Sequence, residues 1–197
     1  MKSFKTSSVL FVGLIALGVS VYYAIALGFY PIAIVNGSMV SVARFEETEG
    51  FVKSYYEKAE ATYRLGAESQ NLPHHEEILS ATLDKLISYE LLYAEAKTKV
   101  GRDLSAVVDQ KLASIKMDSS TLEKAVDTIY GLTIDRFKEA VLVPQAWEEI
   151  VRGRLFAEKT DFDEWHRNAR KTAKVIILHP TLVWDGEKVV VKNRGTK

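Results

Sequence analysis

The sequence predicts a mainly α domain behind an N-terminal transmembrane helix, with a small sheet formed by short strands from both ends of the domain. Three observations support this fold class. A long stretch without charges opens the chain, and apolar residues at helical spacing fill most of the remainder. Short β-branched runs next to turn-forming pairs occur near residues 32–40 and 174–191.

The charge-free stretch is long enough to cross a bilayer. No charged side chain lies between Lys5 and Arg44, and Val9–Val35 is nearly all apolar. About 20 apolar residues that rise 1.5 Å each span roughly 30 Å of hydrocarbon. We therefore predict a transmembrane signal anchor that contacts the lipid bilayer through Val9–Pro31.

The flanking charges predict the orientation of this anchor. Lys2 and Lys5 are the only charges before it, and the positive-inside bias keeps such a terminus in the cytoplasm. The domain then lies outside the cytoplasm, in the periplasm or at the cell surface. A cleaved signal peptide is an open alternative, because Ala24-Ile25-Ala26 resembles a cleavage site. Four aromatic residues near the outer end suit the membrane interface: Tyr22, Tyr23, Phe29 and Tyr30.

Composition narrows the classes of function. The 197 residues carry 26 basic and 26 acidic side chains. Without Lys2 and Lys5 the basic count falls to 24, so the domain has no basic excess and we expect no nucleic-acid partner. The absence of cysteine excludes disulfides and thiol chemistry.

The first elements of the domain follow from local signals. Ile32–Val35 predicts a strand, Asn36-Gly37 a tight turn that tolerates positive φ, and Met39-Val40 a second strand. Ser41 is a suitable N-cap for a helix that opens at Val42. The apolar stripe of this helix, which we expect to end at Gly66, contains Phe45, Val52, Tyr55, Tyr56, Ala59 and Tyr63.

Five more helices and two strands are predicted. The helices run from Pro73 to Gly101, from Leu104 or Ser105 to Met117, from Leu122 to Tyr130, from Thr133 through Leu155 and Phe156, and from about Asp161. In the second of these helices we expect four residues to be buried: Val107, Val108, Leu112 and Ile115. Pro144 should kink or restart the fourth helix. The two strands are Lys174–Leu178 and its partner Val189–Val191, which a turn at Asp185-Gly186 connects. We expect them to join the N-terminal strand in one sheet.

The predicted organisation therefore has four parts. They are a cytoplasmic N-terminus (1–8), the transmembrane anchor (9–31), a helical domain with C-terminal strands (32–192) and a frayed polar tail (193–197).

Four motifs in this order resemble a known family. They are Val35-Asn36-Gly37-Ser38-Met39-Val40-Ser41, the helix Leu83–Lys97, the segment Asp103–Ile115 and the helix start Leu132–Lys138. The first resembles the VNGxx(I/V)(S/T) opening of SurA-type N-terminal chaperone domains (SurA/PpiD/PrsA-like), and the second resembles the LxxLIxxxLLxxxA helix of that family. The likeness covers roughly Ile34 to Phe156.

The resemblance implies an extracytoplasmic folding factor that cradles unfolded polypeptide in a helical bundle. Members of the family usually also carry a parvulin prolyl-isomerase domain. Only Glu158–Lys197 follows the matched region, which is too short for that domain, and the histidine pair and glycine-rich strands of a parvulin core are absent. We therefore expect no isomerase activity.

Nothing in the sequence indicates a catalytic or metal site, so we expect no enzyme, cofactor or metal. Neighbouring His74 and His75 cannot both face one ion on a helix, and His166 and His179 are isolated. The acidic residues that could act as acid or base lie on charged helix faces or at a helix start: Glu148, Glu149, Asp161, Asp163 and Glu164. No HxxxH pair, serine elbow or phosphate loop is present.

Aromatic side chains spread over several helices are the candidate binding groups. A domain of this size cannot bury all of them, and exposed apolar patches mark interaction sites. The predicted peptide-binding residues are Tyr55, Tyr56, Tyr63, Tyr89, Tyr93, Tyr130, Phe137 and Trp147.

The predicted function is to hold unfolded or newly secreted polypeptides without catalysis. A factor that binds only the unfolded chain opposes aggregation by mass action, and a micromolar affinity of about −8 kcal/mol would suffice. Two alternatives remain open. The domain is a structural or interaction subunit of a membrane complex, or it is a residual peptidyl-prolyl isomerase.

Overall fold

The protein is mainly helical, with a small antiparallel sheet built from both ends of the domain, as predicted. The computed structural model describes residues 2–63, 74–115 and 119–192, and the side chains in these ranges except those of 2–12, 59–63 and 119. The helices are α1 (Lys2–Ala26), α2 (Val42–Tyr63), α3 (His75–Val100), α4 (Leu104–Ser114), α5 (Ser119–Tyr130), α6 (Ile134–Phe137), α7 (Val143–Ala157) and α8 (Phe162–Thr172). The strands are β1 (Pro31–Val35), β2 (Ser38–Ser41), β3 (Val175–Ile177), β4 (Leu182–Trp184) and β5 (Val189–Val191).

Strand β1 lies at the centre of a three-stranded sheet, between β2 and β3 and antiparallel to both. In this register Ile34 faces Met39 on one side and Ile176 on the other. The turn between β1 and β2 uses Asn36 and Gly37 at φ values of 50° and 89°, which confirms the predicted turn. The sheet therefore joins the two ends of the domain, as the sequence predicted.

The predicted pairing of the last strand is wrong. Val189–Val191 pairs with β4, a strand that we did not predict, and the two form a separate antiparallel hairpin. The Asp185-Gly186 turn lies inside this hairpin. Pro180 explains the break after β3, because proline has no backbone N–H to continue the ladder.

Two hydrophobic cores share helix α3. The first lies between the sheet, the β4–β5 hairpin and the N-terminal half of α3, and contains Ile32, Ala33, Val35, Val40, Phe45, Leu79, Leu83, Leu86, Ile87, Leu91, Leu182 and Val189. The second lies between the C-terminal half of α3, α4 and α7, and contains Leu92, Ala96, Leu104, Val108, Leu112, Ala146, Ile150, Val151 and Leu155. Tyr89 packs against both cores.

A polar network fixes the C-terminal hairpin and α8 on α3. The carboxylate of Asp84 accepts hydrogen bonds from the guanidinium of Arg170 and, at 2.9 Å, from the N–H of Val189. Arg170 also donates to the Ser88 hydroxyl and to the carbonyl of Glu187. The Arg170 side chain is only 11% exposed, so these partners compensate the loss of water around its charge.

Side-chain caps begin three helices where the sequence predicted them. Ser41, Thr133 and Asp161 each accept a hydrogen bond from the N–H three residues later. A wide π-type turn, Lys138–Leu142, precedes Pro144, and α7 restarts at Val143, which confirms the effect predicted for this proline.

Other predicted boundaries and burials need correction. α4 ends at Ser114 and α5 begins at Ser119 rather than Leu122, whereas Gly66, Pro73 and Met117 lie outside the described residues. Phe156 and Ile115, expected on apolar faces, are 86% and 44% exposed. Each follows a helix's last buried residue, so no neighbouring element covers it.

Helix α1 ends at Ala26 rather than at Pro31, where the predicted anchor ended. Gly28, at φ +69°, donates to the carbonyl of Ile25, and Phe29 donates to that of Ala24. This is a Schellman C-cap with glycine in the left-handed position.

No helix within the described residues combines the length and the apolarity that a membrane crossing requires.

The segment after α1 is bonded to the start of α2. The N–H of Val42 donates to the Tyr30 carbonyl at 2.9 Å, and the N–H of Ala43 donates to the Gly28 carbonyl at 3.1 Å. Free N–H groups in the first turn of a helix need such acceptors. The four residues between α1 and β1 are therefore held by the domain itself.

We expect Gly28→Ala to destabilise the protein more than Gly37→Ala. Both glycines have positive φ, which costs an alanine about 1 kcal/mol. A Cβ at Gly28 would also lie 2.9 Å from the Ala43 nitrogen, whereas nothing lies within 4 Å of one at Gly37. Urea denaturation should give a loss of about 2 kcal/mol or more for Gly28→Ala, and equal losses for the two variants would contradict this account.

Candidate peptide-binding surfaces

Four of the predicted binding residues form one aromatic cluster at the junction of α2, α5 and α6. We call it the aromatic row. The rings of Tyr55 and Tyr130 stack with centroids 5.7 Å apart, and Tyr130 lies 5.2 Å from Phe137. Tyr56 meets the edge of Tyr55 at 5.8 Å. Such spacings are typical of favourable aromatic pairs.

Close packing between α2 and the end of α5 places Tyr130 on Tyr55. Gly131, at φ +68°, closes α5, and a Cβ there would lie 2.8 Å from the Ser54 hydroxyl. The ammonium of Lys58 donates to the Asp127 carbonyl in the last turn of α5. A side chain at position 131 would press on Ser54 and Lys58, so glycine suits the close approach of the two helices at the point where the rings stack.

The aromatic row is partly open to solvent. Tyr55 and Tyr56 are 41% and 37% exposed, while Tyr130 and Phe137 are half-buried behind them. The row therefore offers ring surface that is held in place by other rings.

A second aromatic surface lies in a cleft of about 410 Å³ between α3, α4 and α7, which we call the α3–α4–α7 cleft. The rings of Tyr93 and Trp147 meet there at 5.0 Å. Buried Leu104 and Val108 form its apolar floor. Its volume is in the range of ligand pockets, about 300–1,000 Å³.

A smaller cavity of about 210 Å³ lies between α2, α3 and the wide turn, and Tyr89 lines it. Its two arginines already have carboxylate partners. Arg44 pairs with Glu90, and Arg136 pairs with Glu47 at 2.8 Å. These ion pairs join helices and leave little free charge for a ligand.

The predicted peptide-binding residues therefore do not form one continuous site. The structure brings four of them together in the aromatic row and two in the α3–α4–α7 cleft, while Tyr89 lies between the cores. The side chain of Tyr63 lies outside the described residues. The role assigned to these residues stays a prediction.

Sequence reasoning missed two features of these surfaces. Lys97 and Arg102 line the α3–α4–α7 cleft, although nothing in the sequence separates them from other surface charges. On α8, Phe162 packs on Trp165 at 5.6 Å and stacks on His166 at 5.9 Å. Their three- and four-residue spacing was a readable signal for this group.

Two histidines are held towards the neutral state. Burial lowers the pKa of His166, and the charge of Arg170 adds to the effect. Burial likewise lowers the pKa of His179, which Lys192 reinforces. No cluster of three or more His, Asp or Glu side chains suited to a metal occurs in the described part of the chain.

No family model, curated protein or solved structure matches this chain. The resemblance to SurA-type domains therefore stays a prediction from the sequence motifs.

We expect stability to fall as the pH drops below about 6.5, the ordinary histidine pKa. Because the folded-state pKa of both His166 and His179 is lowered, the unfolded chain binds more protons in that range. Their contribution is complete above the unfolded pKa and is lost as the pH falls towards the folded one. The free energy of unfolding, measured by urea denaturation, should be lower at pH 5.5 than at pH 7.5. This difference should be smaller in the variant His166→Gln/His179→Gln. If the unaltered protein and the variant lose the same free energy of unfolding between pH 7.5 and 5.5, these two histidines are not the cause of the loss.

Proposed function

We propose that this protein is a membrane-anchored, extracytoplasmic folding factor that holds unfolded or newly secreted polypeptide without catalysis. The observation that carries the proposal is the aromatic row, in which partly exposed tyrosines are held by stacked rings on three helices. The sequence motifs that resemble those of SurA-type domains support the same proposal.

Stacked tyrosines suit a ligand of variable sequence. A tyrosine has few rotatable bonds, so it contributes contact area at a low cost in conformational entropy. Its ring packs on any apolar side chain, and its hydroxyl bonds to backbone groups of an extended segment. Binding of this kind distinguishes unfolded from folded clients, because only the unfolded chain exposes such segments.

The anchor part of the proposal is supported by the composition and exposure of α1. From Gly13 onwards its large apolar side chains are not covered by the domain and are 49–73% exposed: Leu14, Ile15, Leu17, Val19, Val21, Tyr22, Tyr23 and Ile25. Each buried side chain of this kind is worth about 1.5–3 kcal/mol, so a lipid environment would stabilise the helix substantially. The sequence feature on which the proposed anchor rests is the charge-free segment directly before the domain.

We expect the full-length chain to resist alkaline extraction from membranes. A C-terminally tagged protein should stay in the membrane pellet at full mass, and Leu14→Lys/Leu17→Lys should release it. Lysine near the centre of a membrane helix costs about 2.5–3.5 kcal/mol per residue. Release of the unaltered protein at full mass would contradict the anchor. Release at a mass lower by the first 26 residues would indicate a cleaved signal peptide instead.

The holding function predicts suppression of client aggregation. The full chain in lipid nanodiscs should reduce light scattering from a denatured client at several-fold excess, and Tyr55→Gln/Tyr56→Gln should lose at least about half of this effect. Phe156→Gln is the matched control, because Phe156 is 86% exposed and pairs with no other ring among the described residues. Circular dichroism confirms that each variant is folded. No suppression by the unaltered protein would sink the proposal.

Crosslinking in native membranes separates the alternatives. A photoreactive residue at Tyr56 should capture many polypeptides if the protein holds unfolded clients. A single dominant partner would favour the alternative that the domain is a structural subunit of a membrane complex. Turnover of a proline peptide above background would favour a residual isomerase.

A further inference from the structure

The α3–α4–α7 cleft combines an aromatic wall with two cations at its mouth. Tyr93 and Trp147 form the wall, and Lys97 and Arg102 lie on the rim. The Lys97 ammonium lies 5.7 Å from the centre of the Tyr93 ring. Gly101 follows the end of α3 at φ +73°, and the chain turns there. Arg102 therefore lines the same cleft as Lys97, five residues earlier.

These two cations lack carboxylate partners among the described residues. Lys99, only two positions from Lys97, is bonded to Glu158 at 2.6 Å and lies 3.6 Å from Glu95. Within the described ranges no carboxylate makes such a contact with Lys97 or Arg102. Asp109 is the one acidic side chain among the described residues that line the cleft, so its lining carries a net charge of about +1 at neutral pH.

We propose that the α3–α4–α7 cleft binds a polypeptide segment in which an acidic side chain neighbours an aromatic or large aliphatic one. The apolar side chain packs against Tyr93 and Trp147, and the carboxylate reaches Lys97 and Arg102. This inference takes from the proposed function only that the ligand is unfolded polypeptide.

Charge complementarity decides between this ligand and a purely apolar one. A purely apolar segment would bring no carboxylate to the two exposed cations and would therefore gain nothing from their charge. A basic segment would add repulsion. An acidic neighbour satisfies the cations at the rim and leaves the apolar floor for the adjacent side chain, so the cleft prefers one charge pattern.

Peptide binding tests this preference directly. Short acetylated and amidated peptides share one Leu-Tyr core, flanked by Glu, by Gln or by Lys, and their binding to the full chain in detergent micelles is followed by fluorescence anisotropy. The Glu peptide should bind about tenfold more tightly than the Lys peptide at low salt, equivalent to about 1.4 kcal/mol. High salt should reduce the ratio, because the rim is exposed.

Three variants locate the effect. Lys97→Gln/Arg102→Gln should remove the Glu preference, whereas Lys99→Gln, which deletes a neighbouring charge outside the cleft lining, should keep it. Trp147→Ala should weaken all three peptides alike.

The outcomes separate this inference from the proposed function. Equal affinity for the Glu and Lys peptides, no binding of any peptide, or a preference that survives Lys97→Gln/Arg102→Gln would overturn the inference. If suppression of aggregation persists in those cases, the holding function stands without it. A preference that depends on Lys97 and Arg102 supports the inference even where aggregation is not suppressed.

Discussion

Both hydrophobic cores depend on the burial of one helix, α3. Its N-terminal half places Leu83 and Ile87 against the sheet, and its C-terminal half places Leu92 and Ala96 against α4 and α7. Each fully buried leucine or isoleucine contributes about 1.5–3 kcal/mol. Among the described residues no other helix contributes to both cores, so damage to the middle of α3 would loosen both.

The charge that α3 carries near the first core is compensated by partners from the other end of the chain. Asp84 binds Arg170 of α8 and the backbone of β5, so a single carboxylate orders two C-terminal elements. Truncating Asp84 or Arg170 would leave the other charge partly buried without a partner, which costs more free energy than the pair contributes. The sheet adds a second link, since β1 and β3 bring the same two ends together. The N- and C-terminal segments therefore fold as one unit.

The sequence predicted features that local chemistry decides. The cap at Ser41, the helix starts at Thr133 and near Asp161, and the turn at Asn36-Gly37 need only neighbouring residues, and all four are present. Strand β4 was missed because the Asp185-Gly186 turn was taken to join Val189–Val191 to the strand Lys174–Leu178, whereas it joins Val189–Val191 to the short strand directly before the turn. For the aromatic surfaces, the sequence identified the candidate tyrosines, but the stacking of Tyr55 on Tyr130 depends on how α5 packs on α2. The end of α1 could have been predicted from Gly28, since glycine is the usual residue just past a helix end.

The bonding after α1 limits how a holding factor of this kind can work. Gly28 and Tyr30 accept hydrogen bonds from the first turn of α2, so no slack chain separates α1 from the domain. A long flexible linker would let the domain search a large volume at a low effective concentration. With a bonded connection, the proposed anchor would instead keep the aromatic row within a fixed reach of the bilayer. On the proposed function, its clients are then segments that emerge beside it, and weak individual contacts are sufficient because their local concentration is high.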